Sequence, residues 1–535
     1  MNSHCFPFRQ IPHTTPLFLD YLERKPAVEP FYPRSARFLE WPKDESSRVN
    51  YPAERRQPIA DVLERQNKAF RASEKTLANI ASLRSGALAV VTGQQVGVFG
   101  GPAFSLYKAL STIKLADEAR KLGVDCVPIF WLATEDHDLE EVSQARIPAS
   151  DGQLEGLRAA TQSQPDAPVG TIAFGTEISD LAAAAEKLLG ASEAASLLSE
   201  AYRPGENFGS AFAKLFARIF ADFGVILLDG ADPALDKIAA PLYREVVERA
   251  PGLNRKLLER DQALQTAGYH QQVRVTDTST PLFLIRDGRR IPVHAQGPDT
   301  FMAGESELSE RELLDLAQSS PESFSPNVLL RPIMQDYLLP TLAYVGGAAE
   351  VAYFSQAGAL YEELVGRITP ILPRFSATLI EAKPQALLEK YTVSFQDLFH
   401  GPEALREKIG SRLLDRSLQS SFDQAGAAVE RSMAAIRSLL EQLDKTLVDS
   451  ANNAESKMLY QLTSLRSRAA RAELRQTEVA DRHTRILSNS LYPDKTLQER
   501  EVAGIYFLAK HGRELLNGLL DSIHPDCVDH QIITL

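Results

Sequence analysis

Cysteine is scarce in this chain. The 535 residues contain three, Cys5, Cys126 and Cys527, too far apart to form a metal-ligand or disulfide pattern. A reduced, cytoplasmic protein is expected. Cys126 lies in the apolar run CVPIFWL and reads as a buried, inert thiol. Long apolar runs are missing too; no stretch is long enough to span a bilayer, so no membrane partner is expected. The opening residues, MNSHCFPFRQIPHTTPLFLDYL, show no basic segment followed by an apolar core, so no secretory leader is expected. Positive charge is in deficit, with Asp+Glu 70 against Lys+Arg 58 and a formal net charge of -12. Nucleic acid is therefore not an expected partner, since its binders show a basic face or stripe. A local basic pocket for a small anion remains open.

What is present is globular: 44% hydrophobic and 24% charged residues exclude disorder. The length exceeds one ordinary core, so two or more domains are expected. The segment FYPRSARFLEWP, aromatic and broken by proline, suits a stretch draped over a core. ALAVVTG reads as a buried strand, PAFSLYKALSTIKLADEARKLG as a helix and CVPIFWLAT as a second buried strand. That order is a parallel βαβ unit. FGVILLDG followed by ALDKIAAPLYREVVERA repeats strand, turn and helix. Asp287-Gly288, between two alternating apolar runs, predicts a hairpin. After Pro384 the pattern changes to helix. Val429, Met433, Ile436, Leu440, Leu443 and Leu447 keep heptad spacing. Leu462, Leu465, Ala469, Ala472, Gln476, Val479, His483 and Ile486 resume it in another phase. The change around Asn452 to Met458 is either a stutter or a hairpin turn.

Three clusters are candidates for chemistry. The first, TGQQVGVFGGP, follows a predicted parallel strand, and ligands bind outside the carboxyl ends of such strands. Its glycines, Gly100 and Gly101 among them, allow close backbone approach, and a helix starting near Pro102 would direct its positive end at an anion. Thr92, Gln94 and Gln95 add neutral donors and acceptors. A turn that only packs helix on strand is the competing reading. The second cluster, Glu135, Asp136 and His137, emerges at the same sheet edge, where ionisable groups are costly unless paired or functional. A general base, an amine-binding carboxylate or a metal site each fit, against an acidic helix N-terminus to which Asp138, Glu140 and Glu141 are assigned. The third is LLRPIMQDYLLPTLAYVGGAAEVAYFSQ. It sets Arg331, Gln335, Asp336, Tyr337, Tyr344 and Glu350 beside Gly346-Gly347, with Arg374 following a later apolar run. Its arginines suit carboxylate or phosphate capture, or a structural Arg-Asp pair.

TGQQVGVFGGPAFSLYKA, PIFWLATEDHDLEEV, RPIMQDYLLPTLAYVGGAAEVAYFSQ and LYPDKTLQERE closely resemble, in order, segments of the bacillithiol biosynthesis cysteine-adding enzyme family, BshC. The resemblance implies an α/β fold: a Rossmann-like parallel sheet core with connecting-peptide insertions, plus a C-terminal α-helical coiled-coil domain. On this chain the core is expected over 1–384, with insertions at about 146–210 and 270–325. The coiled coil is expected over 385–491, and a helical segment returning to the core over 492–535. The implied activity is a ligase joining the cysteine carboxyl to the amine of glucosaminyl-malate, the last step of bacillithiol synthesis. A homodimer through the coiled coil is expected. The family is distantly similar to class I aminoacyl-tRNA synthetases, and Phe99 to Pro102 falls where those carry a His-Ile-Gly-His signature. This chain has no histidine there, and no Lys-Met-Ser-Lys-Ser loop.

Amide formation from a free carboxylate needs activation, so ATP is the expected cofactor, with Mg only as its companion and no resident metal. Glu135, Asp136 or His137 is expected to take the amine proton. Thr92, Gln94, Gln95, Gly100, Gly101, Pro102 and the third cluster with Arg374 are expected to bind substrate. Two other functions compete: a metal-dependent hydrolase centred on Glu135, Asp136 and His137, and a non-catalytic coiled-coil scaffold.

Overall fold

A computed structural model describes residues 1–297, 299–413, 416–474, 478–525 and 527–535. It divides into two compact units. One comprises residues 1–147, 155–378 and 499–533; the other comprises 148–154, 379–498 and 534–535.

Five apolar runs build the central sheet of the first unit. They are β1 (Leu88–Gln94), β2 (Cys126–Leu132), β3 (Ile226–Asp229), β4 (Thr341–Gly346) and β5 (Ile371–Pro373). All pair in parallel, in the spatial order β5-β4-β1-β2-β3. Every residue of β2 and β4 is buried, which is why both read as continuous apolar runs rather than alternating ones. This is the strand order of a Rossmann-like fold, and it reverses between β1 and β4. Thr92 of β1 is level with Phe130 of β2 and Val345 of β4. The carboxyl ends of the three strands therefore come out at one edge.

Packing fixes the frame. Phe38 and Trp41, from the proline-broken lead, are buried with Val90, Leu115, Cys126, Leu342 and Leu372. Across the sheet, Phe130 meets Phe212 and Phe216 with ring centroids 5.9 Å and 5.4 Å apart. The helix Ala103–Lys121 is buried along most of its length, with Ser105, Lys108, Ser111 and Thr112 buried beside its apolar residues. Residues Ser279–Arg286 and Arg289–Ala295 form the predicted hairpin, with Asp287 at φ 52° and Gly288 at φ 73°. Two successive positive φ values are the demand of the tightest hairpin turn. Three further strands complete a five-stranded antiparallel sheet.

The cysteine expectation is corrected. Cys5 and Cys527, 522 residues apart, are joined by a disulfide. Tertiary approach of two distant segments makes the pair, so spacing could not reveal it. Nearby, the Ser3 hydroxyl donates to Gln531 at 3.2 Å and the Phe8 amide donates to Asp529 at 3.1 Å. Cys126 is free and buried, and burial pushes its thiol up to about 12.

The second unit is helical. Arg416–Leu443 and Leu447–Leu474 pair as an antiparallel coiled coil, since Arg437 meets Glu455 while Arg466 meets Asp423 at 3.0 Å. The heptad region is thus a hairpin, and its turn lies at Asp444–Thr446. Asn452 to Met458 falls inside the second helix, which corrects the expected position of the break. Asp444 makes the turn without glycine or proline: its carboxylate accepts from the Thr446 amide and hydroxyl, both at 2.8 Å. Leu447 opens the second helix rather than ending the first. Val479, His483 and Ile486 lie on the Glu478–Leu491 helix, and Gln476 lies outside the described residues. Met433 is buried, but Ile436, Leu439, Leu443 and Leu465 are 45%, 67%, 77% and 56% exposed. No described helix is long and apolar enough to cross a membrane.

Candidate functional site

A cavity of about 640 Å³ opens where β1, β2 and β4 end. This is the crevice expected where strand order reverses. β1 contributes Gly93 and Gln94 and the turn after it Gln95, while β2 and the turn after it contribute Trp131, Glu135 and Asp136. β4 and the following helix contribute Tyr344, Gly347, Glu350 and Tyr353. Arg331 enters from the short helix Arg331–Leu338, and Phe283, Arg290 and Val293 enter from the antiparallel sheet. Two glycines are required by close approach. A Cβ on Gly93 would stand 3.2 Å from the Tyr344 hydroxyl, and one on Gly230 would stand 2.3 Å from Glu135 Oε2.

The acidic cluster separates into unlike members. Glu135 is buried; Trp131 Nε1 donates to its Oε1 at 3.0 Å, and its Oε2 has no partner. Burial raises its pKa above the usual carboxylate value, against the opposing pull of Arg331. Asp136 is fully committed. Its Oδ2 accepts from Gln95 Nε2 at 2.6 Å; its Oδ1 accepts from Arg290 Nη1 at 3.0 Å and from the His137 amide at 2.8 Å. Burial pushes this carboxyl up, but the bonds from His137 and the Arg290 charge outweigh burial and hold it well below the usual range. His137 is half-exposed, shares its Nδ1 with Asp136 at 3.2 Å, and does not line the cavity. Its bond to Asp136 raises its pKa. Of the three, only Glu135 has an oxygen to spare.

A buried ion pair, Lys108 with Glu350, also lines the cavity. Lys108 Nζ donates to the Gly93 carbonyl at 2.6 Å, to Gln94 Oε1 at 2.8 Å and to Glu350 at 2.5 Å. Glu350 also accepts from the Tyr344 hydroxyl and the Gly347 amide, each at 2.7 Å. Arg331 packs its guanidinium 5.6 Å from the Trp131 ring and 5.3 Å from the Tyr344 ring. Its Nη1 donates to Gln335 at 3.2 Å, and its Nη2 is buried without a partner. Unpartnered buried groups are costly, so a cavity wall with an orphan acceptor on Glu135 and an orphan donor on Arg331 is a functional candidate.

Not every expected residue reaches this cavity. The Thr92 hydroxyl donates across the sheet to the Val345 carbonyl at 2.8 Å. Gly100, Gly101 and Pro102 pack away from it. The Gly100 amide donates to the Tyr202 hydroxyl at 3.2 Å, and a Cβ on Gly100 would meet Phe216 at 3.3 Å. At the helix start, the Ala103 amide donates to the Val502 carbonyl at 2.8 Å and the Gly504 amide donates to Gly101 at 3.1 Å. The expected anion cradle is thus filled by the chain's own backbone. Gln335 and Asp336 are buried in a network with Thr369 and Arg367. Tyr337 stacks under Arg55 at 3.5 Å, and Gly346 closes β4. Arg374 lines the cavity but is held by Glu499 at 2.6 Å. Asp138 caps the short helix Leu139–Val142, as its acidic context indicates, while Glu141 lines the cavity.

Sequence reasoning missed Lys108, Arg290, Trp131, Phe104, Arg274 and Arg500, all of which line the cavity. Lys108 left a signal: Phe104, Lys108, Ser111 and Leu115 share one helix face, and a lysine on that buried face requires a partner. Trp131 was hidden within an apolar run. Arg290 was out of reach, because the hairpin sits 154 residues from Asp136 in sequence.

Residues 1–375 match the family described as Bacillithiol biosynthesis BshC, N-terminal Rossmann-like domain, and residues 377–535 match its C-terminal coiled-coil domain. A Koribacter versatilis (strain Ellin345) protein named "Putative cysteine ligase BshC" is 46% identical over 100% of both chains. Proteins of the same name from Solibacter usitatus (strain Ellin6076) and Salinibacter ruber (strain DSM 13855 / M31) are 36% and 32% identical. They cover 99% and 98% of this chain and 100% and 99% of their own. With both of its halves matched and its relatives aligned end to end, this chain belongs to the BshC family of bacillithiol biosynthesis.

Proposed function

We propose that this protein is a cysteine ligase that joins the carboxyl of cysteine to the amine of glucosaminyl-malate. The names of its relatives support the ligase class. The observation that carries the site is a pair of orphan groups that both neighbour Trp131, Glu135 Oε2 and Arg331 Nη2. An amine nucleophile must lose a proton as the amide forms, and a buried carboxyl of raised pKa is suited to take it. Arg331 neutralises a substrate carboxylate at the same wall. Asp136 and Arg290 hold the β2 end and the hairpin sheet together, which keeps Glu135 in place.

ATP is the proposed cofactor, and when bound it supplies the leaving group that an unreactive carboxylate lacks. The residues present fit it: Leu257, Val275, Phe283 and Val293 give an apolar wall that neither polar substrate requires, and Arg274 and Arg500 are exposed cations on the rim. Mg enters this proposal only as the nucleotide's companion.

We also propose a homodimer through the helical unit. Its exposed apolar residues, Ile436, Leu439, Leu443 and Leu465 among them, suit a second copy as cover. Light scattering should give a dimer mass at micromolar concentration, and Ile436→Glu with Leu443→Glu should reduce it to a monomer. The activity is tested by incubating purified protein with cysteine, glucosaminyl-malate and ATP and following bacillithiol by mass spectrometry. Product that requires all three supports the reading; no product, together with an unchanged thiol pool in a deletion strain, refutes it.

A further inference from the structure

The two adjacent glutamines at the end of β1 look interchangeable in sequence, but their surroundings fix their amides in opposite senses. Lysine ammonium only donates. The atom of Gln94 facing Lys108 at 2.8 Å is therefore its oxygen, and the NH2 group faces the cavity, where it donates one N–H to Glu141 Oε1 at 3.3 Å. Lys108 has no freedom to release it, because its other two donors are bound to the Gly93 carbonyl and Glu350. Gln95 is the reverse case. Asp136, ionised against Arg290, only accepts, so Gln95 spends its NH2 there at 2.6 Å and leaves Oε1 without a partner. The two amides therefore differ in what they hold unspent: the orphan atom of Gln95 is its oxygen, whereas Gln94 has its oxygen on Lys108 and turns its NH2, with one N–H beyond the bond to Glu141, to the cavity.

The geometry points to Gln94 as a specificity-determining donor for an anionic oxygen of the substrate, with Lys108 as the positioning residue that sets its amide. The inference rests on the reading that this cavity binds the ligase substrates. Lys108 and Arg374 are paired with Glu350 and Glu499, and Glu141 stands beside Gln94, but the cavity as a whole favours an anion, because Arg274, Arg290, Arg331 and Arg500 line it as well, against the carboxylates of Glu135, Asp136, Glu141 and Glu350. A malate carboxylate and a nucleotide phosphate share this chemistry.

The test is calorimetric titration of the full chain with glucosaminyl-malate alone and with ATP alone. Gln94→Met removes the donor without adding charge, and Gln94→Glu replaces it with an acceptor that still satisfies Lys108. Both should weaken binding of the ligand that occupies the subsite by about ten- to a hundredfold while leaving the other ligand unchanged, which distinguishes the two sources. Lys108→Met should weaken the same ligand about tenfold, and the Lys108→Met, Gln94→Met double variant should be no worse than the weaker single, since one acts through the other. If Gln94→Met binds both ligands as the wild type does, the donor role is overturned, even where Gln94→Glu loses affinity through charge alone. An additive double variant overturns the positioning role of Lys108. A wild type that binds neither ligand removes the functional reading itself, which is a different failure.

Discussion

Gly93, Gln94 and Gln95 line the cavity, whereas Gly100, Gly101 and Pro102, the next turn of the same segment, pack against Phe216, Tyr202 and the 502–504 backbone. Both stretches have the composition of a ligand loop. The difference is what the chain itself supplies to their backbone groups. At the helix start the amides that would face an anion are already spent, Gly100 on Gly97, Gly101 on Val98 and Ser105 on Pro102 within the turn, and Ala103 on Val502 of another segment. At the strand end, side-chain polarity is left over. Residue type therefore nominates both stretches, and the satisfaction of their hydrogen bonds separates them.

If the strand ends carry chemistry and the glycine turn carries the fold, variants should divide accordingly. Glu135→Gln should lower kcat by about a hundredfold or more with thermal unfolding unchanged. Because burial raises its pKa, the base form exists only above that value, so wild-type turnover should climb as pH rises and the variant should lose that limb. Equal loss of Tm and kcat would make Glu135 structural.

Gly101→Val should do the reverse. At φ 70°, with Ser105 Oγ 3.2 Å from the new Cβ, a β-branched residue should cost about 3 kcal/mol of stability. The fraction that folds should bind substrate normally. A folded variant with wild-type Tm and no binding would return the turn to the site.

A third variant sharpens the comparison below the sheet edge. Burial pushes the Asp236 carboxyl up to about 7 from its ordinary 3.8, and the Tyr243 hydroxyl donates to it at 2.8 Å. The native state keeps a proton that the unfolded chain releases, so this contribution to stability is full below about 3.8 and is lost as pH rises toward 7. Asp236→Asn should flatten that decline, by about 2 kcal/mol between pH 5 and 7, in unfolding measured across that range. An unchanged slope would mean the carboxyl titrates normally.

The smallest effect is expected at the junction of the two roles. Asp136 is 34% exposed and bound to Arg290, so Asp136→Asn should cost about 1–2 kcal/mol and weaken substrate binding. Its kcat at saturation should stay within about tenfold of wild type. A larger fall in kcat than Glu135→Gln produces would exchange the assignments of the two carboxyls.

Much of the fold was legible because local signals agreed with it. Buried parallel strands read as unbroken apolar runs at 87–91 and 126–132, and Asp287-Gly288 announced its hairpin. The coiled-coil turn was misplaced because Asp444 caps it with a side chain where glycine or proline would have marked it. The site was legible only in part. Gln94, Glu135 and Arg331 stand beside strand-like runs and could be nominated locally. Arg290 arrives on a distant sheet, and Lys108 is a single cation in a helix whose burial depends on segments more than a hundred residues away. The Cys5–Cys527 pair belongs to the same class of long-range fact.

The central claim is that the crevice between β1, β2 and β4 is where cysteine meets glucosaminyl-malate. A crystal structure of the protein with both substrates tests it most directly. The account expects density in that crevice, with an anionic oxygen at Gln94 Nε2 or Arg331 Nη2 and the sugar amine beside Glu135. Substrates bound elsewhere, with this cavity filled only by water, would contradict it.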